Sequence, residues 1–295
     1  MDPSLLGSLS PDAVREALPD LLSRFVGDES EQAPSASLLR QLLAERTDAE
    51  LADMLEHLSA VGDEPKIYRA EPTCQRLVRA WSQRLLTLEV IGVKHLVSAL
   101  AAGPTALLGN HLSYFDTCAL DCALAWSGQE DAAARIVAAA GPKVYADPFR
   151  RFVASSLNTL PVPQSTSFAH TEPLSPRELA RRAQASVQTA HQALRDGLAL
   201  LIYPEGSRSR STRLTPFLPA VRRYLELDGL QVVPVAVSGT ERFLPVDDVR
   251  VHPGSVRVAF GTPIAVSARG GREALDHAYE ALSALLPEAY QPLGG

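Results

Sequence analysis

From Leu88 to the C-terminus, short apolar runs alternate with longer stretches in which apolar residues recur at helical spacing. This alternation favours an α/β fold, because a buried parallel strand needs a crossover helix to bring the chain back to the same edge of the sheet. We predict strands at Leu88–Ile91, Thr105–Leu108, Ala134–Ala138, Asn158–Val162, Leu198–Tyr203, Val232–Val237 and Ser255–Phe260. Helices are expected at about 116–127, 145–156, 176–195, 217–226 and 271–286. The expected fold is α/β, with a mixed, largely parallel sheet flanked by helices.

The residues before Leu88 have helical patterns without strand patterns. Ser10 and Pro11 fit the cap and first position of a helix, and Thr47 with Glu50 fits a capping box. The predicted helices begin at Pro11, cover Ser35–Arg46, run from Thr47 to near Gly62, and run from about Pro72 to Leu88, whereas 27–37 and 62–65 have loop composition. We therefore divide the chain into a small N-terminal helical domain, 1–87, and an α/β domain, 88–295.

The composition is that of a globular chain, with 46% hydrophobic and 21% charged residues. The N-terminus lacks the basic and apolar regions of a signal peptide, and no apolar run approaches the ~18 residues that span a bilayer. We therefore expect a cytoplasmic protein. Three cysteines, Cys74, Cys118 and Cys122, favour buried reduced thiols over a metal or redox site, and we expect no metal.

The net charge of −6 conceals an asymmetry along the chain. Residues 1–64 carry 14 acidic and 4 basic side chains, whereas residues 141–223 carry 12 basic and 5 acidic ones. The basic region would attract an anionic substrate, an acidic carrier protein or an anionic lipid surface. The alternative is a solvated, arginine-rich surface without a binding function.

His111 and Asp116 lie five residues apart, directly after the apolar run 106–108. Within a continuous helix such a step would separate the two side chains by roughly 140°. They converge only if His111 lies on a strand-to-helix turn and Asp116 lies in the first helical turn. An aspartate placed there holds one imidazole nitrogen and leaves the other free to deprotonate a hydroxyl. In the alternative without a catalytic role, Asp116 is a helix cap and His111 is a polar residue at a strand end.

Two further clusters follow in the chain. Residues 202–210 read IYPEGSRSR after the apolar run 198–202, and residues 232–240 read VVPVAVSGT. Open α/β sheets bind ligands beyond the carboxyl ends of their strands, so the first cluster and the His111 turn are expected at that edge.

The order NHxxxxD, PEGSRS and VVPVAVSGT resembles the glycerolipid acyltransferase family, over roughly Leu88–Leu286. The stretch VYADPF at 144–149 and the pair Arg208 and Arg210 are also similar to soluble plastid-type glycerol-3-phosphate acyltransferases. The resemblance implies transfer of a fatty acyl group from acyl-CoA or acyl-carrier protein to a hydroxyl of glycerol 3-phosphate or lysophosphatidate. The acyl thioester is a co-substrate, so no cofactor is expected. An anionic membrane surface is expected as a peripheral partner and nucleic acid is not.

The same resemblance implies roles for individual residues. His111 would be the base and Asp116 its orienting partner, and Pro234 would belong to the family's fourth block. The implied acceptor-binding residues are Glu205, Gly206, Ser207, Arg208 and Arg210. One departure concerns Gln164, which stands where the family has a basic residue near the acceptor phosphate. Lys143, Arg150 and Arg151 are candidates to supply the missing charge.

Three alternatives remain open at this stage. The missing charge fits an acyltransferase whose acceptor is a lipid hydroxyl without phosphate. A serine hydrolase is the second alternative, with Ser113 or Ser207 as its nucleophile, although neither residue lies in a GxSxG elbow. A non-catalytic lipid-binding or carrier-binding protein is the third, although such a protein has no need of a base.

Overall fold

A computed structural model describes residues 9–163, 175–267 and 270–293 of the 295-residue chain. Four helices open it: α1 (Pro11–Ser23), α2 (Glu29–Ala44), α3 (Asp48–Ala60) and α4 (Pro72–Leu85). The Ser10 hydroxyl accepts a hydrogen bond from the Ala13 amide, and Thr47 with Glu50 forms the predicted capping box. Local capping chemistry therefore sets where α1 and α3 begin.

Helix α2 corrects the prediction of a loop at 27–37. It begins at Glu29 and continues through Pro34, because Asp28 caps it by accepting from the Ser30 amide. A proline inside a helix removes one hydrogen bond, but Leu39 and Leu43 are fully buried on the same helix. Tertiary burial thus outweighs the loop-like composition of its first half.

The strands form one eight-stranded sheet in the order β1-β7-β6-β2-β5-β3-β4, with β8 paired to β6. Strands β6, β2, β5, β3 and β4 pair in parallel, β1 is parallel to β7, and β7 and β8 are antiparallel to β6. The prediction of a mixed, largely parallel sheet is confirmed. The strands are β1 (Leu86–Ile91), β2 (Thr105–Gly109), β3 (Ile136–Ala140), β4 (Asn158–Pro161), β5 (Ala199–Ile202), β6 (Gln231–Ser238), β7 (Gly254–Phe260) and β8 (Ile264–Ala265).

Helices and 3₁₀ turns connect these strands. The helices are α5 (Val93–Ala102), α6 (Asp116–Trp126), α7 (Glu130–Arg135), α8 (Lys143–Ala146), α9 (Pro148–Ser155), α10 (Pro176–Arg195), α11 (Arg222–Leu225), α12 (Thr240–Phe243) and α13 (Gly271–Leu285). Throughout the described ranges, no helix combines the length and apolar character needed to cross a bilayer.

Several predictions need correction. Helices α5, α7 and α12 were absent from the predicted set, and α7 includes the first two residues of the strand predicted at Ala134–Ala138. The helix predicted at 145–156 is divided at Asp147, because a residue before proline avoids the helical conformation and Asp147 is extended. The helix predicted at 217–226 is only a 3₁₀ turn at Pro219–Val221 followed by the four-residue α11.

Apolar residues cover both faces of the central strands. Leu107 on β2 joins a cluster with the buried residues of α4 and α6, whereas its neighbour Leu108 joins one with α10 and α13. The first cluster also contains Leu39 and Leu51 from the N-terminal helices. The core is therefore continuous across residue 87, and the division at 87/88 stays a prediction. Other buried residues include the three cysteines, which are free thiols as predicted.

Arg151 links the N-terminal helices to the α/β region. Its Nη1 donates to two carbonyl oxygens at the C-terminal end of α3, those of Leu58, at 3.1 Å, and Val61, at 2.7 Å. Its Nε donates to the Tyr145 carbonyl at 2.9 Å. The side chain is buried and its hydrogen bonds join these elements, whereas its role in substrate binding stays a prediction.

Replacing Arg151 with methionine is expected to lower the free energy of unfolding by about 2–4 kcal/mol. Methionine replaces the aliphatic part of the arginine side chain but leaves three carbonyl oxygens without their charged donor. Chemical denaturation would measure it. Arg181→Met is a matched control, because Arg181 pairs with Glu178 on the surface and such pairs contribute about 0–1 kcal/mol. Equal losses in the two variants would contradict the structural link.

Candidate active site

His111 and Asp116 lie on the turn that joins β2 to α6. Strand β2 ends at Gly109 and α6 begins at Asp116, so the histidine is on the turn and the aspartate is in the first helical turn. His111 Nδ1 lies 2.7 Å from an Asp116 carboxylate oxygen, Oδ2. The spacing argument therefore predicted the convergence of these side chains.

Asp116 is completely buried, and protein donors surround its carboxylate. Its Oδ2 accepts from the amides of Leu112, at 2.7 Å, and Ser113, at 3.0 Å, and its Oδ1 accepts from the Thr240 hydroxyl at 2.5 Å. Three of its four contacts are therefore with N–H or O–H donors of the protein. In the tautomer of His111 that carries its proton on Nδ1, this nitrogen donates to Asp116 and Nε2 keeps its lone pair.

Tyr203 packs against one face of the His111 imidazole ring. The two rings stack at 4.4 Å between centroids with an interplanar angle of 15°. The tyrosine hydroxyl lies 3.0 Å from the Thr117 hydroxyl on α6, which fixes the ring plane. Burial raises the pKa of Tyr203 well above its usual value, so the phenol stays neutral. The His111 side chain keeps 18% of its surface exposed and is accessible to a small reactant.

Long-range hydrogen bonds fix the backbone of the His111 turn. The Asn110 side chain exchanges two hydrogen bonds of 2.8 Å with the Val237 backbone on β6. The His111 carbonyl accepts from the Ser209 amide at 2.7 Å. The backbone on the two sides of His111 is therefore anchored to β6 and to the loop that follows β5.

Glu205 joins two segments of the chain. Its Oε1 accepts from the His111 amide at 2.7 Å, and its Oε2 accepts from the amide and hydroxyl of Thr215, at 2.8 and 2.6 Å. Burial raises the pKa of this carboxyl group, and the hydrogen bonds from Thr215 and His111 oppose that shift. Glu205 therefore organises the site with both oxygens already bonded within the protein.

Gly206 and Ser207 follow on the exposed part of the loop. Gly206 has a φ of +74°, and a Cβ there would lie 2.3 Å from Cδ1 of Leu218. The left-handed backbone is what favours glycine here, because the nearby Leu218 methyl group ends an exposed, flexible side chain that can move.

Two arginines meet on one tyrosine ring. The guanidinium carbon of Arg208 lies 3.8 Å from the centroid of Tyr114, and that of Arg150 lies 4.4 Å from it. Arg208 is half-buried, and burial is the largest cause that lowers its pKa, with the positive charge of Arg150 acting in the same direction. Lys143 begins α8 after β3, and Arg210 is exposed. The structure thus brings Arg208 and Arg150 together and leaves Arg210 at the surface.

Ser113 cannot act as a nucleophile in this arrangement. It is fully buried, its hydroxyl donates to the Leu244 carbonyl at 2.8 Å, and it accepts from the Phe115 amide. The side chain stabilises the turn instead of facing solvent. Ser207 is exposed.

Three residues of the site were missed by the sequence analysis: Tyr203, Thr240 and Tyr114. The first two stood inside the quoted clusters, at the ends of β5 and β6, so their position at the carboxyl edge was the available signal. Tyr114 lies inside the NHxxxxD turn itself. Pro234 is buried within β6 opposite Leu108 of β2. Gln164 lies outside the described residues.

The carboxyl ends of three neighbouring parallel strands supply the connected residues of the site. His111 follows β2, Glu205 follows β5 and Thr240 follows β6. Among the residues that the structure describes, no three or more His, Cys, Asp or Glu side chains form a group that could hold a metal ion.

The acyltransferase family model matches residues 88–238, slightly more than half of the chain. The chain therefore belongs to the acyltransferase family. It is 31% identical over 110 residues to the 1-acyl-sn-glycerol-3-phosphate acyltransferase of Cocos nucifera, covering 36% of this chain and 35% of that protein. The corresponding enzyme of Limnanthes douglasii is 32% identical over 84 residues, covering 27% of this chain and 30% of that protein. The matches thus span about a third of these relatives.

A solved structure is also similar to the chain. It is the crystal structure of the 1-acyl-sn-glycerophosphate acyltransferase PlsC from Thermotoga maritima, with a TM-score of 0.47 and 15% sequence identity. The alignment covers 92% of this chain and 97% of that one.

Proposed function

We propose that this protein is an O-acyltransferase that moves a fatty acyl group from an acyl thioester to a hydroxyl of glycerol 3-phosphate or its 1-acyl derivative. The observation that carries the proposal is the contact of 2.7 Å between His111 Nδ1 and buried Asp116, which leaves Nε2 as the base. Membership of the acyltransferase family and the names of the plant relatives support the class of acceptor.

The proposed reaction is a direct transfer. His111 Nε2 takes the proton of the acceptor hydroxyl as its oxygen attacks the thioester carbonyl. Asp116 stabilises the imidazolium that forms. The tetrahedral intermediate collapses with cleavage of the C–S bond, and the thiolate recovers the proton, giving an ester and a free thiol. The donor is acyl-CoA or acyl-carrier protein, and the reaction needs no further cofactor.

The buried state of Ser113 favours this mechanism over a serine hydrolase, because its hydroxyl already donates to Leu244. The ordered His111–Asp116–Thr240 chain of hydrogen bonds favours catalysis over binding alone. A pure binding protein gains nothing from a buried carboxylate that holds a solvent-accessible imidazole by one nitrogen.

Incubation with acyl-CoA or acyl-carrier protein and a panel of acceptors tests the proposal. The panel contains glycerol 3-phosphate, 1-acyl-glycerol 3-phosphate, glycerol and monoacylglycerol, with products identified by mass spectrometry. We expect esterified glycerol phosphates. Free fatty acid as the sole product would assign a hydrolase, and preferred acylation of uncharged acceptors would assign the phosphate-independent alternative. Binding without turnover would assign a non-catalytic protein.

Arg208→Ala is expected to raise the acceptor KM by about 10–100-fold and to leave the acyl-CoA KM nearly unchanged. A guanidinium next to the His111 turn can bind phosphate oxygens in a bidentate manner, and charge-assisted hydrogen bonds contribute about 1.5–3 kcal/mol. Arg210→Ala is the matched control from the same loop, and its effect should be smaller because Arg210 is exposed. A smaller effect of Arg208→Ala than of Arg210→Ala would contradict the assignment.

We further propose that the protein works in the cytoplasm and meets anionic membranes peripherally. Residues 218–223 present Leu218, with 48% of its surface exposed, followed by exposed Arg222 and Arg223. Each suitably placed cation contributes roughly 1 kcal/mol of attraction to an anionic surface.

Flotation with phosphatidylserine-containing vesicles should therefore recover the protein at low salt and lose it at high salt, because salt screens these charges. The variant Arg222→Glu/Arg223→Glu should float less at every salt concentration. Flotation that is unchanged by salt or by this variant would contradict electrostatic association.

A further inference from the structure

We infer that Tyr290, in the 3₁₀ turn after α13, is a positioning residue that holds the turn carrying Thr240 through a hydrogen bond to Glu241. The inference rests on the proposed function and deepens it, because Thr240 donates to the Asp116 carboxylate that orients His111. Tyr290 would therefore act on the reaction only through other residues.

A side-chain hydrogen bond joins the C-terminal turn to the turn after β6. The Tyr290 hydroxyl donates to Glu241 Oε1 at 2.7 Å, and Glu241 Oε2 accepts from the Gly239 amide at 2.9 Å. Thr240 lies between the two residues that this carboxylate connects, and its hydroxyl donates to Asp116 at 2.5 Å. The Glu241 carboxylate therefore fixes the backbone from which Thr240 reaches Asp116.

Burial strengthens the contact between Tyr290 and Glu241. Tyr290 is buried and Glu241 keeps 12% of its side-chain surface exposed, so water competes little for either group. Burial and the hydrogen bond to Glu241 raise the pKa of Tyr290 to about 12, so the hydroxyl stays a donor at neutral pH. Arg242 lies 3.6 Å from Glu241 Oε1, but 70% of its side-chain surface is exposed and solvent screens this pair. Tyr290 is therefore the buried side chain that fixes Glu241.

The backbone of the same 3₁₀ turn is bonded to the segment that holds Glu205. The Tyr290 carbonyl accepts from the Leu214 amide at 2.8 Å. The next residue, Thr215, donates to Glu205, and Glu205 in turn accepts from the His111 amide. A second support of the His111 turn thus also reaches Tyr290.

The Tyr290 ring has a contribution distinct from that of its hydroxyl. Tyr290 belongs to the same buried apolar cluster as Leu112 and Leu214. Leu112 follows His111 in the chain, and its amide donates to Asp116. A phenylalanine at position 290 would keep this packing and lose only the hydrogen bond to the turn after β6.

Tyr290→Phe is expected to lower kcat for acyl transfer from acyl-CoA to glycerol 3-phosphate by about 3–10-fold, because a small misplacement of a catalytic group lowers the rate of the chemical step. Both KM values should stay nearly unchanged, because the hydroxyl acts on the His111–Asp116 pair and not on substrate binding. Tyr224→Phe is the matched control, since Tyr224 is a half-buried tyrosine of α11 that packs in the cluster with α10 and α13. Tyr224→Phe should have wild-type kinetics, and a wild-type kcat in Tyr290→Phe would overturn the inference.

A double-mutant cycle distinguishes positioning from a general loss of stability. In the Thr240→Val background the hydrogen bond to Asp116 is already absent, so Tyr290→Phe should lower kcat further by less than about twofold. A defect that is independent of Thr240 would instead have its full effect in both backgrounds. Equal losses in the two backgrounds would therefore also overturn the inference.

Hydrogen–deuterium exchange tests the same link without catalysis. In Tyr290→Phe the Gly239 amide and the Leu112 and Ser113 amides, which donate to the connected carboxylates, should exchange faster than in the wild type. Faster exchange in a protein that acylates no glycerol phosphate would keep the positioning link and reject the proposed function. Unaltered exchange and kcat in Tyr290→Phe, in a protein that acylates glycerol phosphates, would reject the link and keep the function.

Discussion

His111→Ala is expected to lower the rate of acyl transfer by about 10²–10⁴-fold, the usual contribution of a positioned general base. Truncation removes Nε2, and the turn around His111 keeps the hydrogen bonds that Asn110 and Asp116 make with the backbone. The variant should therefore keep its fold, although it loses the stacking on Tyr203. Steady-state kinetics with acyl-CoA and glycerol 3-phosphate would measure the loss, with circular dichroism as the test of folding.

His277→Ala is the appropriate control, because His277 is an exposed histidine on α13. It should retain full activity. A folded His111→Ala variant that works within about threefold of the wild type would rule out general-base catalysis by this residue, since the loss expected is far larger.

Asp116→Asn is expected to lower the rate by about 10²–10⁴-fold while changing acceptor KM little. The amide is similar in size to the carboxylate, but it is neutral and does not stabilise an imidazolium. Its NH₂ group also faces donors that the carboxylate satisfied, among them the Leu112 and Ser113 amides or the Thr240 hydroxyl. The imidazole therefore loses both its charge partner and its fixed tautomer.

Thr240→Val separates the effect of positioning from that of charge. The valine keeps the shape of the side chain and removes only the hydrogen bond of 2.5 Å to Asp116 Oδ1. Its activity should fall between those of the wild type and Asp116→Asn, and Thr240→Ser should restore most of it. Asp116→Asn at wild-type activity would be incompatible with the proposed use of His111.

Local features of the sequence determined the central strands, several helix starts and one contact of the site. The central strands were visible as apolar runs because parallel strands are buried on both faces. Helix starts such as Pro11 and Asp48 follow from capping residues within the same few positions of the chain. The His111–Asp116 contact was also predictable, because a five-residue spacing brings the side chains together only at a strand-to-helix turn.

Tertiary structure alone decided what these residues contact over long distances. Thr240 reaches Asp116 across 124 positions of the chain, and Glu205 connects His111 to Thr215. Neither pairing has a local signature, because the sheet order brings the ends of β6, β2 and β5 together.

Arg150 and Arg151, both on α9, show that long-range contacts also distinguish adjacent residues of the same type. They are adjacent and chemically identical, but one step along a helix turns the side chain by about 100°. Arg151 is thereby directed to carbonyl oxygens at the C-terminal end of α3, and Arg150 to the ring of Tyr114. The family resemblance implied the same role for both, and only the packing of α9 against its neighbours distinguished Arg151, bonded to backbone carbonyl oxygens, from Arg150, which contacts the Tyr114 ring.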